Sequence, residues 1–554
     1  MRKTVYMPLL VGAIALTTGG WFLQKGAADE LNLYSQVRLF EEVVDMVSDR
    51  FVDENGQDDL YQMAIEGLLN ELGDPYSVLM DRDQYADLRL DTTGEYGGLG
   101  IQIAVRNGWI TIVAPMPGTP AERAGLRAGD RIVEVEGEST AGWTEDEAVK
   151  VLRGPKGKTV DIKVARPGAD EPIPFTIKRE DIEVPAVPSA YLMGDGVGYV
   201  EVVRFSESSA DEVRDAVEEL RKQGMRGLIL DLRDNPGGLL DQSFEMADIF
   251  LPKGVAITET RGRVDDDNHR YDASDPDRFP QLPVVVLING ASASASEIVA
   301  GALQDHDRAL LLGERTFGKG SVQTLFQLRA GEYVLKLTTA RWYTPSGRSI
   351  QAPHEERTAR LADGDVVDGT DPDDDGGREI FHTDAGREVL GGGGISPDLR
   401  VPREVDPGVE TFFKAMNRYG AAYNDAVFDY ATEYAAEHPE LRPDFEVAPE
   451  MLDELYDRLR AGEVELDPET YDGAGQWLAR QLGYRIAYTK WGQEAARQRW
   501  NEEDPDVRVA REVLREATSP AALFDVAQAH RLAREESDVE AAAAETAAAG
   551  AGRP

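Results

Sequence analysis

The 554-residue chain contains no cysteine. Disulfides, zinc–thiolate centres and a cysteine nucleophile are thereby excluded, although the compartment is not decided. Histidine is scarce, at six residues, and basic residues are in deficit: 59 Lys and Arg against 102 Asp and Glu leave a formal net charge of −43. That balance argues against nucleic-acid binding, which calls for a basic surface, and favours solubility. What remains is globular in character, with 42% hydrophobic and 8% aromatic residues, and its length predicts three or four domains.

Arg2 and Lys3 precede an uncharged run from Thr4 to Gln24. A positive flank before an apolar stretch is the pattern of an export signal, and the run just reaches the roughly 20 residues that a spanning helix needs. No clean small-x-small cleavage site follows, so residues 1–28 are expected to be a retained membrane anchor rather than a cleaved signal peptide. The basic flank stays inside, which places the remainder beyond the inner membrane, on the periplasmic side of the cell envelope.

Residues 29–90 are expected to be helical, with Val37, Leu39, Phe40, Val43, Val44 and Met46 on one apolar face and Ala64, Leu68, Leu69 and Leu72 on another. Gly73-Asp-Pro-Tyr76 is a turn signal. From Thr92 to Arg179 the texture changes to short strands, at Ile101–Val105, Trp109–Val113, Ala121–Ala124 and Asp130–Val135, and a helix at Thr144–Leu152. With Pro117-Gly-Thr-Pro-Ala-Glu-Arg-Ala-Gly-Leu-Arg-Ala-Gly-Asp130, this order resembles a bacterial PDZ domain, over residues 91–180. Residues 185–405 then alternate strand and helix. Gly227–Leu232 and Val284–Ile288 are short apolar runs of the kind covered on both faces, and helices are expected at Leu239–Phe250 and Glu297–Leu303. An acidic, Asp/Gly-rich insertion at 351–391 lacks the ligand spacing of an EF-hand and is read as a solvated loop. Residues 406–534 are helical, with Met451, Leu455 and Leu459 at helical spacing and a wide aromatic stripe from Trp477 to Trp491 that suits a core or a subunit interface. The Ala/Glu-rich segment 535–554 is expected to be disordered.

Two segments carry chemistry: Asn289-Gly-Ala-Ser-Ala-Ser-Ala-Ser-Glu297 and Thr316-Phe-Gly-Lys-Gly-Ser-Val-Gln323. A strand, a turn of small residues and a helix put a serine at a helix N-terminus, where unpaired backbone N–H groups can receive an oxyanion. Ser292, Ser294 and Ser296 compete for the role, and Ser294-Ala-Ser-Glu297 equally fits a plain capping box. Lys319, between two glycines, has no evident structural task. To act as a neutral base near pH 7 its pKa must fall from ~10.4 by about 3, roughly 4 kcal/mol, which burial can supply. Gln323 stands four residues on, placed to hold the amine. Of the histidines only His306 is near, and its neighbours Asp305 and Asp307 suggest a surface turn.

Together with Asp231-Leu-Arg-Asp-Asn-Pro-Gly-Gly-Leu239, these motifs resemble the carboxyl-terminal processing proteases, family S41, from about Asn32 to Pro402. The resemblance implies an α+β multidomain fold. A PDZ β-barrel-like domain precedes a Clp-protease/crotonase-like strand–helix core, flanked by helical N- and C-terminal regions. It implies a serine endopeptidase with no metal or cofactor. In the family the nucleophile precedes the lysine by 25 residues, a spacing that selects Ser294. Lys319 then maps to the general base and Gln323 to the residue that orients it. Gly237 or Gly238, with the N–H of Ala295, maps to the oxyanion hole. Asp305 falls where some members carry a charge-relay acid, and is read as structural. Gly98, Leu99, Gly100 and Ile101 map to the loop that holds a protein's C-terminal carboxylate, the tail adding as a strand beside Ile101–Val105. Arg153 maps to a link between PDZ docking and the core. Expected partners are protein substrates bound by their C-terminal tails, the membrane through the N-terminal segment, and a second copy through the C-terminal helices. The alternatives are a catalytically silent PDZ scaffold, against which the intact Ser294 and Lys319 count, and a crotonase-like acyl-CoA enzyme, which would need neither the PDZ insertion, nor the export segment, nor the serine–lysine pair.

Overall fold

A computed structural model describes residues 34–353, 377–401 and 406–533. The expected anchor at 1–28, the segment 535–554 and the acidic centre of the insertion lie outside the described residues. The chain forms two compact units: one takes residues up to Tyr85 together with Gln323–Thr338, the other Ala86–Val322 and Thr339 onward.

In the first unit residues 34–50 and Gln57–Glu71 are helical. The turn signal at Gly73 operates as its residues dictate: Gly73 adopts φ 66°, and the Asp74 carboxylate accepts from the Ser77 hydroxyl at 2.5 Å. A strand Val78–Met80 follows, antiparallel to Tyr333–Tyr343, with Val78 opposite Lys336 and Met80 opposite Val334. The expected apolar faces of these helices are mostly open; Val44 and Leu69 are buried, whereas Leu39, Phe40, Met46, Leu68 and Leu72 are exposed.

The second unit begins with the PDZ sheet, in which strands Ile101–Arg106, Trp109–Pro115, Arg131–Val135, Thr159–Ala165 and Ile173–Lys178 follow one another in space. Period-two alternation buries Val160, Ile162 and Val164 against Ile110, Ile112 and Ile132. Ala121–Ala124, expected among the strands, is a helix from Pro120, because Pro120 presets its first turn and Gly125, at φ 86°, closes it. Helix Glu145–Leu152 starts at a Thr144 capping box with Glu147.

The protease core is a five-stranded sheet in the order Ser189–Leu192, Val197–Glu201, Gly227–Asp231, Val284–Ile288, Leu310–Gly313; the first strand is antiparallel and the rest parallel. The three central strands are buried throughout, because both faces are covered. Leu228, Leu230, Val284 and Val286 pack under helices Ser209–Lys222, Leu240–Asp248 and Ala295–Asp305. Ile229, Val285 and Leu287 point the other way, onto Val507, Ala510, Val513 and Leu514 of helix Pro505–Glu516. One face of the core is thus roofed by the C-terminal region. The rest of that region is a bundle of Pro407–Met416, Gly420–Glu437, Pro449–Ala461 and Gly475–Trp491 around Phe412, Leu455, Leu478 and Leu482. It also touches the PDZ domain: Arg106 stacks 3.9 Å from the Phe428 ring and pairs with Asp425 at 3.2 Å.

Two further readings of the sequence need correction. Part of the insertion is not loop: Ile380–His382 and Glu388–Leu390 form an antiparallel hairpin. His306 is no surface turn residue, since its Nδ1 meets Asp384 at 2.7 Å and its Nε2 the Ala256 carbonyl at 2.6 Å, in part through that hairpin.

Candidate active site

The strand Val284–Ile288 runs into a six-residue turn and then into helix Ala295–Asp305. Ser294 occupies the helix N-cap at φ 56°, ψ −111°, a conformation that costs a non-glycine residue about 1–3 kcal/mol. The three serines of the turn differ in what their hydroxyls bond to. Ser292 is buried, its hydroxyl donating to the Leu232 carbonyl at 2.8 Å, and Ser296 is buried, donating to the Asn235 carbonyl at 2.9 Å. Ser294 is half-buried and its hydroxyl makes no cap bond. Two serines build the turn, and the third presents its oxygen.

Glu297 holds this turn to the lysine segment. Its side chain is fully buried. One carboxylate oxygen accepts from the Ser294 N–H at 2.8 Å and the Lys319 N–H at 2.9 Å; the other accepts from the Thr316 hydroxyl at 2.6 Å and the Gly318 N–H at 2.7 Å. Burial pushes its pKa above the ordinary carboxylate value, and these four donors oppose that rise. The Phe317 N–H donates to the Ser292 carbonyl at 3.0 Å, a second tie between the same segments. Sequence reasoning saw Glu297 only as half of a capping box; the run of donors at Thr316–Lys319 that it serves becomes visible only once the two segments meet.

Lys319 is half-buried, with its carbonyl accepting from the Trp342 indole N–H at 3.1 Å. Gly318, at φ 90°, passes so close to Ala352 and Gly394 that a Cβ would lie 2.6 Å from the Ala352 methyl. Gln323 belongs to the first unit, where its amide donates to the Thr338 hydroxyl at 3.2 Å. Asp305 is buried and paired with Arg348 at 2.7 Å, a structural role.

The glycine turn lies against the serine turn. A Cβ on Gly237 would stand 2.9 Å from Ser294 Cβ and 3.0 Å from the Ala295 nitrogen. The Gly237 N–H, however, is already given to the Asn235 side chain at 2.9 Å, so what this residue contributes is room. The N–H groups of Gly238 and Ala295 meet no acceptor among the described residues. Gly238 is held by pairing with Phe205, whose carbonyl oxygen would be 2.2 Å from any Cβ placed there.

In the PDZ domain a groove of about 240 Å³ is lined by Leu99, Gly100, Ile101, Ile103, Val149 and Arg153, among others. The strand Ile101–Arg106 is at the sheet edge, and the Leu99 and Gly100 N–H groups meet no acceptor among the described residues. Gly98 does not line the groove; it is paired in a strand with Glu180. Arg153 stacks on Tyr96 at 4.7 Å. The helix end before it is held by Arg179, a residue not anticipated, which donates to the Val151 and Leu152 carbonyls. A larger hollow of about 970 Å³, lined by Gln304, Arg348, Asp398 and Phe524, includes none of the candidate residues.

The model of peptidase family S41 matches residues 196–357, that of the PDZ domain 111–166, and that of the activating protease CtpB N-terminal domain 22–84. A carboxy-terminal-processing protease of Bartonella bacilliformis is 42% identical over 348 residues, 62% of this chain and 77% of the relative. The chain belongs to the carboxy-terminal processing protease family. It is therefore a serine-type hydrolase with a PDZ domain. The carboxy-terminal processing protease CtpA of Bacillus subtilis is 37% identical over 306 residues, 55% of this chain and 65% of that protein. Among solved structures, a photosystem II D1 C-terminal processing protease is 31% identical across 56% of this chain and 89% of its own, with a TM-score of 0.32.

The Glu297 hub makes a specific demand. Glu297→Gln keeps the volume but turns an N–H₂ toward two of the four donors. It should lower the free energy of unfolding by about 1–3 kcal/mol, read as an earlier urea midpoint, while Glu410→Gln on an exposed helix should leave the midpoint unchanged.

Proposed function

We propose that this protein is an exported serine endopeptidase that works through a Ser294–Lys319 dyad on proteins selected by their C-terminal tails. The observation that carries the reading is the strained Ser294 turn: of its three serines, Ser294 is the one whose hydroxyl makes no hydrogen bond among the described residues, and the N–H of Ala295 next to it is unengaged there as well. In this mechanism Lys319 takes the proton as Ser294 Oγ attacks the scissile carbonyl. The N–H groups of Gly238 and Ala295 receive the oxyanion. Protonated Lys319 gives its proton to the leaving amine, and water then resolves the acyl-enzyme. The tail lies as an added strand along Ile101–Arg106, its carboxylate on the Leu99 and Gly100 N–H groups and its last side chain among Ile101, Ile103 and Val149. Tail binding gates cutting, with Arg153 at the groove's end as the link.

Cleavage of a model protein with an apolar C-terminal tail tests this. Wild type should cut it, Ser294→Ala and Lys319→Ala should each lose at least about 10³-fold in kcat, and Gln323→Ala should slow cutting without abolishing it. Amidating the tail should raise KM about tenfold. Normal cutting by Lys319→Ala would contradict the dyad, and tail binding without any cutting would favour a scaffold.

Export and anchoring rest on the pattern of residues 1–28. For assembly, the support lies less in the C-terminal helices, which expose Phe413 and Leu532, than in the first unit, which exposes Leu39, Phe40, Met46, Leu68 and Leu72 among others. The full chain is expected in the bacterial membrane fraction and accessible to external protease. The chain from Ala28 should sediment as a dimer that Phe40→Glu and Leu68→Glu together convert to monomer; a cytosolic chain, or a monomer throughout, would contradict these assignments.

A further inference from the structure

The sheet strand that ends at Asp231 leads straight into the turn bearing Gly237 and Gly238, and Arg233 stands between them. Its guanidinium is nearly enclosed by three carboxylates. It meets Asp231 at 2.7 Å from one side, and Asp504 at 3.0 Å and Asp506 at 3.1 Å from the other. The Tyr199 hydroxyl completes the set by donating to Asp231 at 2.7 Å. Asp504 is the N-cap of helix Pro505–Glu516, accepting from the Asp506 and Val507 N–H groups, so two of the three carboxylates belong to the first turn of the helix that roofs the sheet.

The residues that follow Arg233 in the chain are tied by hydrogen bonds to the nucleophile turn. Asp234, at φ 59°, exchanges bonds with the Asn289 side chain in both directions. The buried Asn235 side chain donates to the Val202 carbonyl and accepts from the Gly237 N–H. Its carbonyl accepts from the Ala293 N–H at 3.0 Å and the Ser296 hydroxyl at 2.9 Å. Gly238 follows, with its open N–H. Buried charge pairs of this kind add little net stability compared with apolar packing, but each fixes a geometry. The match to peptidase family S41 ends at residue 357, so Asp504 and Asp506 lie outside it.

We propose that Asp504 and Asp506, acting through Arg233, are positioning residues for the oxyanion turn: the cap of the C-terminal helix sets where the Gly238 N–H points. This rests on the peptidase reading above. Without its two distal carboxylates Arg233 keeps, among the described residues, only Asp231 at the end of the strand just before it, and the turn loses its tie to the far face of the sheet.

The test is the double substitution Asp504→Asn, Asp506→Asn in the full chain. Asparagine caps a helix as well as aspartate does, so the helix is retained while the charges are removed. Arg511→Ala is the control; it breaks the ion pair that the same helix makes with Asp195, at 3.0 Å and away from the turn. The expected result is a kcat about 10–100-fold lower with KM unchanged in the double variant, approaching the effect of losing one oxyanion donor, and wild-type kcat in the control. Amide hydrogen exchange should quicken at residues 234–239 in the double variant alone. Wild-type kcat and exchange in the double variant would overturn the proposal, as would equal losses of kcat and of protection throughout the core in both variants. Equal cutting by wild type and Ser294→Ala would instead sink the peptidase reading, and exchange at 234–239 would still decide whether the helix cap holds the turn.

Discussion

One buried carboxylate organises the chemistry of this molecule. Four donors from two distant segments converge on Glu297, and they bring the serine turn and the lysine loop into register. An enclosed carboxylate is costly to desolvate, so it is tolerated only where its lone pairs are satisfied, and here all the satisfaction comes from the residues that must be placed. The energy that holds Ser294 in its strained conformation comes from the same source. The N–H of Ser294 is fixed by Glu297, the carbonyl of Ser294 accepts from the Glu297 and Ile298 N–H groups, and the side chain is left over.

The second constraint is the sheet. Its central strands are apolar on both faces, and one of those faces is covered mainly by the C-terminal helix and the segment that follows it, with Leu399 and Val401 at its side. The C-terminal region is therefore part of the protease core in the energetic sense, although it is distant in sequence. The same region packs on the PDZ domain through Arg106 and through Tyr488, whose hydroxyl donates to Gln102 in the groove strand. The edge strand of the PDZ groove and the turn after Asp231 thus each touch the C-terminal helical region.

Much of this was legible in the residues. The strands Gly227–Asp231 and Val284–Ile288, the PDZ strands and the helix after the serine turn follow from apolar runs, period-two alternation and capping residues, all of them local signals. Local chemistry leaves three serines open, and only the family spacing singles out Ser294; the structure separates the three by what Ser292 and Ser296 bond to. What stayed hidden is non-local. Nothing around Asp504 announces that it faces Arg233, 271 residues earlier. The transfer of Gln323–Thr338 to the N-terminal unit arises from the pairing of Val78–Met80 with Tyr333–Tyr343, a register that no local pattern encodes. Ala121–Ala124 was misread because a five-residue helix is too short to show periodicity, and its Pro and Gly punctuation is the better guide.

In the proposed mechanism the strained turn presents one hydroxyl. The most direct measurement is to trap the acyl-enzyme, by mixing the protein with an activated ester of a short apolar peptide, quenching in acid and mapping the adduct by mass. The proposed dyad requires a single acyl group on Ser294, formed at a rate that collapses in Lys319→Ala. An adduct on Ser292 or Ser296, or one on Ser294 that forms equally fast without Lys319, would contradict it.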